Sequence, residues 1–321
     1  MKGVFLDRDT LDRSDLDFSQ IENTLPEWDF FATTSAEQSA ERIHDAEVVV
    51  TNKVVIDRAL LLASPRLKLI CVAATGTNNI DLEAAEQHGV TVCNARGYAT
   101  PSVVQHTFTL ILALTTHLSQ YQEAIQRGDW QLSPHFCLLE YPFHELAGKT
   151  LGVIGYGELG HAVADVARAF GMNILISQRP GSQDCPPDRV PLATLLSEAD
   201  IVSLHCPLTS DTHHLISSRE LGLMKHSALL INTARGGIVD EQALATALQE
   251  GSIKGAGVDV LTQEPAQDDN PLLALHIPNL IITPHIAWAS VQARQRLLNE
   301  ISLNIEAFQQ NQPRNMVSPN P

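Results

Sequence analysis

Three segments of the chain each end an apolar run with a residue able to do chemistry. They are Arg235 in "INTARGGIVDE", Glu264 in "DVLTQEP" and His285 in "ITPHIAWAS". A histidine has an ordinary pKa of about 6.5, so it can give and take a proton near neutral pH. A carboxylate beside it favours the imidazolium and fixes the ring. An arginine fork binds a carboxylate through paired hydrogen bonds and can polarise a neighbouring carbonyl. Together the three suit 2-hydroxy acid chemistry, in which a hydride leaves or joins C2 while a proton leaves or joins the C2 oxygen. Singly, each has a plainer reading: a strand-end cation, a loop acid and a hydrogen-bonded histidine.

A hydride needs a carrier, and "LGVIGYGELG" offers a place for one. Gly155, Gly157 and Gly160 follow a strand-like run and precede "HAVADVARAFG", which reads as a helix. In that setting the first glycine permits a tight turn, the second lets a pyrophosphate approach the backbone, and the third lets helix and strand pack closely. The pyrophosphate would face unpaired N–H groups at the helix amino end. The next strand, "NILIS", should end in an Asp or Glu that holds the adenosine ribose. Ser177, Gln178 and Arg179 stand there instead. Two cofactors stay open. Ser177 and Gln178 could hydrogen-bond the ribose of NAD(H), or Arg179 could take the 2′-phosphate of NADP(H). A hydrogen bond to a charged group is worth about 1.5–3 kcal/mol, roughly 10- to 150-fold in affinity. The pattern therefore leans slightly toward tolerance of NADP(H).

Bulk properties narrow the partners. A formal charge of −16 argues against nucleic acid, whose binding needs clustered cations, and against an anionic membrane surface. An anionic substrate would need a local cation to capture it. The start, "MKGVFLDRD", turns acidic too soon for a secretory signal. The stretch "VVQHTFTLILALTTHL" carries Gln, two His and four Thr, which disqualifies it as a membrane span. Cysteines stand at 71, 93, 137, 185 and 206 with no C-x-x-C pair. That spacing fits neither a disulfide framework nor a zinc knuckle, so no metal is expected, and a reducing cytoplasm is the simplest compartment.

The elements that must position these residues form two series. The first is "GVFLD", "DFFAT", "EVVVT", "LKLICVA" and "VTVCN". The second is "LGVIGYG", "NILIS", "IVSLHCP", "ALLINTA", "IKGAGVDV" and "LIITPHI". Near-continuous Val/Ile/Leu runs suit parallel strands buried on both faces, with crossover helices between them. The fold class is α/β, with two doubly wound parallel-sheet domains. Between the series, Thr100 can cap a helix with Pro101 in its first position. In "SVQARQRLLNEISLNIEAFQQ", apolar residues at 291, 297, 298, 301, 305 and 308 mark an amphipathic helix. The tail "NQPRNMVSPNP" reads as loose.

Six segments in order resemble the D-isomer-specific 2-hydroxyacid dehydrogenase family across nearly the whole chain. They are "GTNNIDLEAAEQHGV", "GYGELG", "LHCPLTSDTHHLI", "LLINTARGGIVDE", "GAGVDVLTQEP" and "TPHIAWAS". The segments "TPHIAWAS" and "GYATPSVVQH" look most like its glycerate dehydrogenase, or hydroxypyruvate reductase, branch. The resemblance implies a Rossmann cofactor domain (residues 99–289) inserted in a flavodoxin-like substrate domain (1–98 with 290–321). It implies Arg235 as carboxylate binder, His285 as acid/base and Glu264 as its partner. Thr75 and Gly76 would lie at the substrate carboxylate with Arg235 and His285. Cofactor contacts would come from Gly155, Gly157, Glu158, Leu159, Gly160, Cys206, Pro207, Thr233, Ala234, Arg235, Asp259, His285, Ala287 and Trp288. A small 2-keto acid, hydroxypyruvate or glyoxylate, would be the substrate, and the assembly a homodimer. Two alternatives accompany this reading: a nucleotide-sensing protein of corepressor type, and a family dehydrogenase acting on another acid such as phosphoglycerate.

Plainer readings cover the remaining candidates. His205 and Cys206 lack further ligands at zinc-type spacing, so a strand-end role is expected. His106 and His117, on a mostly apolar helix, are expected to pack or hydrogen-bond. Lys53, at a strand end of the substrate unit, could help counter a substrate carboxylate, but a solvated side chain is the favoured expectation. Trp288 closes over the cofactor or fills the domain seam.

Overall fold

The computed structural model describes residues 1–182, 184–273, 277 and 279–319. The chain divides into two compact units, Met1–Ala99 with Trp288–Pro321, and Thr100–Ala287. Against the expected boundaries, Ala99, Trp288 and Ala289 fall with the first unit. The physical reason lies in Trp288 and Ser290. The Trp288 ring meets Tyr98 edge-on at 6.4 Å, and Ser290 caps the final helix by accepting from Ala293 N.

In the first unit, β1 (Lys2–Phe5), β2 (Glu27–Phe30), β3 (Val48–Thr51), β4 (Leu69–Val72) and β5 (Thr91–Cys93) form one parallel sheet. Its order is β2-β1-β3-β4-β5, the flavodoxin-like order. Strands buried on both faces still alternate. Phe5, Val48, Val50, Leu69 and Cys71 share one face with Leu297, Leu298, Ile301 and Ile305 of the helix Val291–Gln309. Val4, Val49, Ile70, Val72 and Val92 face the opposite core, with Ile43, Leu61 and Ala84. The closing helix thus packs where the family resemblance put it. The tail is not loose. Asn94 N donates to Asn315 O, Val317 N donates to Val92 O, and Cys93 and Met316 form an antiparallel bridge. Backbone pairing with the open side of β5 holds a segment whose side chains give no such signal. Asn320 and Pro321 lie outside the described residues.

The second unit holds β6 (Thr150–Ile154), β7 (Asn173–Ile176), β8 (Ile201–Leu204), β9 (Leu229–Asn232), β10 (Gly255–Val258) and β11 (Leu280–Ile282), all parallel. The order is β11-β10-β9-β8-β6-β7. Ser177 and Val190 add an isolated parallel bridge outside β7. Counting that bridge as a vestigial third strand gives the 3-2-1-4-5-6 order of a dinucleotide fold with one strand more. One face packs on the helices Leu192–Glu198 and Glu241–Gln249. The other packs on Thr100–Thr115 and Glu158–Ala169. The helix Thr100–Thr115 begins at Thr100 itself with Pro101 second, one residue from the expected cap. The Thr100 hydroxyl donates instead to the Glu158 carboxylate, a charged acceptor that outcompetes a backbone role.

Candidate active site

The strands β9, β10 and β11 lie side by side and run in one direction, so whatever follows them emerges at one edge of the sheet. Arg235 follows β9, Glu264 follows β10 and His285 follows β11. In open α/β sheets this carboxyl edge is where ligands bind.

His285 and Glu264 meet directly. The imidazole Nδ1 lies 2.6 Å from Glu264 Oε2. Opposite an ionised carboxylate, Nδ1 is the donor of this hydrogen bond. The other carboxylate oxygen, Oε1, accepts from Leu261 N at 2.9 Å, so the acid is anchored at both ends. His285 adopts φ +54, a left-handed conformation uncommon for a side-chain-bearing residue. Its surroundings over-determine that backbone. His285 N donates to Asp259 O and Thr283 O, and the Asp259 carboxylate accepts from Ile286 N and Ala287 N, both at 2.9 Å. Asp259 is 1% exposed and also accepts from Thr283 Oγ1 at 2.5 Å, with His106 Nε2 3.4 Å away. Burial pushes its carboxyl up, but hydrogen bonds from His106, Thr283, Ala287 and Ile286 win and hold it below the ordinary range. Asp259 is therefore a buried anionic hub that shapes the His285 turn. The hydrogen-bonded reading of His106 fits: its Nε2 meets Thr283 Oγ1 at 2.9 Å.

Arg235 is exposed in extended backbone, and its Nη1 donates to Ala234 O at 2.7 Å. Among the described residues no carboxylate pairs with it. A guanidinium without a protein counter-ion, in a chain of charge −16, is a ready anion trap. Asn232 braces the turn, with Nδ2 donating to Arg235 O and Oδ1 accepting from Ala234 N. Thr233 is buried against Thr107 Oγ1 at 3.1 Å.

The glycine turn has the shape a dinucleotide needs. Gly155 has φ +91, and a Cβ there would lie 2.5 Å from Cys206 N. A Cβ on Gly160 would collide with Gly155 O, so helix and turn touch backbone to backbone. A Cβ on Gly157 would meet nothing within 4 Å. That glycine borders open space at the start of the helix Glu158–Ala169, with Glu158 and Leu159 in its first turn. These residues fit a bound dinucleotide. Cys206 is buried beside the turn, and burial pushes its thiol up to about 11, so it is no thiolate. Before Pro207, the His205 ring turns Nε2 to Ser203 Oγ at 2.8 Å, while Nδ1 is enclosed without a partner. Burial lowers this histidine to about 4, which keeps it neutral. Among the described residues, no cluster of three His, Cys, Asp or Glu could hold a metal.

At the end of β7, Ser177 is 1% exposed and donates its hydroxyl to Gln178 O at 2.8 Å. Gln178 commits its amide N–H to Ser182 O. The Ser177 hydroxyl proton and one of the two Gln178 amide N–H groups are thus engaged within the loop. Arg179 is exposed. In the first unit, Thr75 and Gly76 follow β4, and Thr75 Oγ1 donates to Ala95 O at 3.0 Å. Asn94 Nδ2 secures the same turn through Thr75 O.

Residues 108–287 match the family described as "D-isomer specific 2-hydroxyacid dehydrogenase, NAD binding domain". The chain belongs to the D-isomer-specific 2-hydroxyacid dehydrogenase family. It is 45% identical over 319 residues to the glycerate dehydrogenase of Methylorubrum extorquens, covering 98% of each chain. To the hydroxypyruvate reductase of Blautia hydrogenotrophica it is 36% identical, over 98% or more of both proteins. A solved acyclic imino acid reductase, in complex with NADPH and D-Arg, matches with a TM-score of 0.86 at 29% identity, over 99% of this chain and 100% of the other. The protein is an NAD-dependent dehydrogenase of D-2-hydroxy acids, and its two parallel-sheet domains are the family's fold.

Proposed function

We propose that the dehydrogenase reduces hydroxypyruvate or glyoxylate to the corresponding hydroxy acid, with His285 as proton donor. The observation that carries this is the Glu264–His285 pair, with the ring Nδ1 held at 2.6 Å and Glu264 itself anchored by Leu261 N. The names of the relatives support the substrate class. Arg235 binds the substrate carboxylate, and Thr75 and Gly76 are the first unit's candidates for substrate binding. A bound nicotinamide supplies the hydride. His285 Nε2 delivers the proton to the C2 oxygen, and Glu264 stabilises the charge on the ring throughout. The enclosure of Asp259 keeps the imidazole in one orientation, so no reorganisation is needed when the proton moves.

The cofactor residues would be the glycine turn, Gly155 to Gly160, together with Cys206, Pro207, Thr233, Ala234, Asp259, Ala287 and Trp288. Either nicotinamide fits, with NADP(H) tolerated because no carboxylate stands at 177–179 to repel a 2′-phosphate. The match to a protein solved with NADPH supports this. The enzyme works as a homodimer in the cytoplasm. Leu132 and Phe136, 85% and 90% exposed, and Leu139 and Phe143 near them offer apolar surface for a second copy. Five free cysteines suit a reducing compartment. The deciding experiment is a panel of 2-keto acids assayed with NADH and with NADPH, alongside light scattering for mass. Highest kcat/KM on hydroxypyruvate or glyoxylate is expected, from a particle of twice the chain mass. Preference for a branched or phosphorylated acid would refute the substrate, and a monomer would refute the assembly.

A further inference from the structure

The loop after β7 returns to it once. Val190 N donates to Ile176 O at 2.9 Å, and Gln178 N donates to Val190 O at 2.8 Å. Ser177 and Val190 form the bridge that stands in for a third strand. This return fixes a residue far along the chain, Arg189, at the strand end where dinucleotide enzymes usually keep an acid. Arg189 is half-buried, and its Nη1 reaches Ser177 O at 3.5 Å. A contact that long orients the guanidinium without consuming it, since an arginine has five N–H donors. Among the described residues Arg189 has no carboxylate partner, although Asp184 and Asp188 share its loop. Arg179, by contrast, is exposed and among the described residues has no comparable anchor.

We infer that Arg189 is the principal determinant for the 2′-phosphate of NADP(H), with Arg179 secondary. This rests on the NADP(H)-tolerant reading above. Three observations converge. Ser177 and Gln178 each turn a donor into the loop, and neither carries the negative charge that would favour a bare 2′-hydroxyl over a 2′-phosphate. No acid stands at 177–179, the Asp211 carboxylate lying instead against Gly181. A cation is held at that place by backbone pairing, so ordering it on binding costs little entropy.

Two probes isolate the group: 2′,5′-ADP, which carries the phosphate, and 5′-ADP, which lacks it. Their affinities for the wild type, Arg189→Ala, Arg189→Gln and Arg179→Ala would be measured by titration calorimetry, with melting curves confirming that each variant folds. Both Arg189 variants should lose roughly 10- to 150-fold in affinity for 2′,5′-ADP while 5′-ADP is unchanged. Arg179→Ala should lose less. Equal loss for both probes would make Arg189 a structural clamp, and no loss would remove it from recognition. A wild type that fails to bind 2′,5′-ADP overturns NADP(H) tolerance itself. A wild type that binds it, with Arg189 variants unaffected, overturns only the assignment of Arg189.

Discussion

His285 pairs a strained backbone with an unstrained purpose. A left-handed φ costs of order 1 kcal/mol or more, and it persists because the Asp259 carboxylate and carbonyl grip the residues around it. His285→Ala should lower kcat by about 10²- to 10⁴-fold. Nucleotide affinity, read by fluorescence titration, should stay within about twofold, because His285 is one contact among many along the dinucleotide. Unchanged kcat would remove the imidazole from the mechanism. Arg235→Ala should fail chiefly in KM, since a substrate carboxylate left unpaired is costly to desolvate. At this scale the contact between His285 and Glu264 was legible. Arg235, Glu264 and His285 each end an apolar run, and strand ends at one sheet edge are close in space. Asp259 was named only as a cofactor contact. Its role as an internal anchor depends on four donors from two other segments, which no local pattern reveals.

At the scale of elements, the glycine turn separates folding from binding. Gly157 and Gly160 are three residues apart, yet a methyl group would act differently at each. Gly160→Ala drives a Cβ into the Gly155 carbonyl and should destabilise by about 1–3 kcal/mol in urea unfolding. Gly157→Ala enters open space and should change stability by less than about 0.5 kcal/mol. It should nonetheless weaken dinucleotide binding, because the methyl occupies the approach to the helix start. Equal stability loss in both variants would refute this division. The parallel strands were legible because Val/Ile/Leu runs have few other uses. Less clear was β2, expected at 29–33 and found at Glu27–Phe30. It takes its register from Trp28 and Phe30, whose rings stack at 5.4 Å, while Phe30 also packs on Phe5. The vestigial third strand could not be read at all. One paired residue after Pro186 and Pro187 leaves no periodicity to detect.

Across the whole molecule, the charge of −16 and Arg235, which has no carboxylate partner among the described residues, pose a single electrostatic problem. A small anion must cross a repulsive field to reach one local cation. The two-unit division was legible from the doubled strand series, whereas the crossing points at Ala99 and Trp288 were fixed by packing around Tyr98. The last residues hold a different lesson. Met316 and Val317 occupy hydrogen-bonding positions on β5 that would otherwise face water as an unprotected sheet margin. A chain cut after Gln309 should therefore fold and turn over substrate when dilute, yet cloud on concentration as bare margins of separate molecules zip together. Turbidity rising with protein concentration, absent in the intact chain, would show that these last few residues keep the enzyme from polymerising on itself. A truncated chain as clear as the intact one would show that they do not.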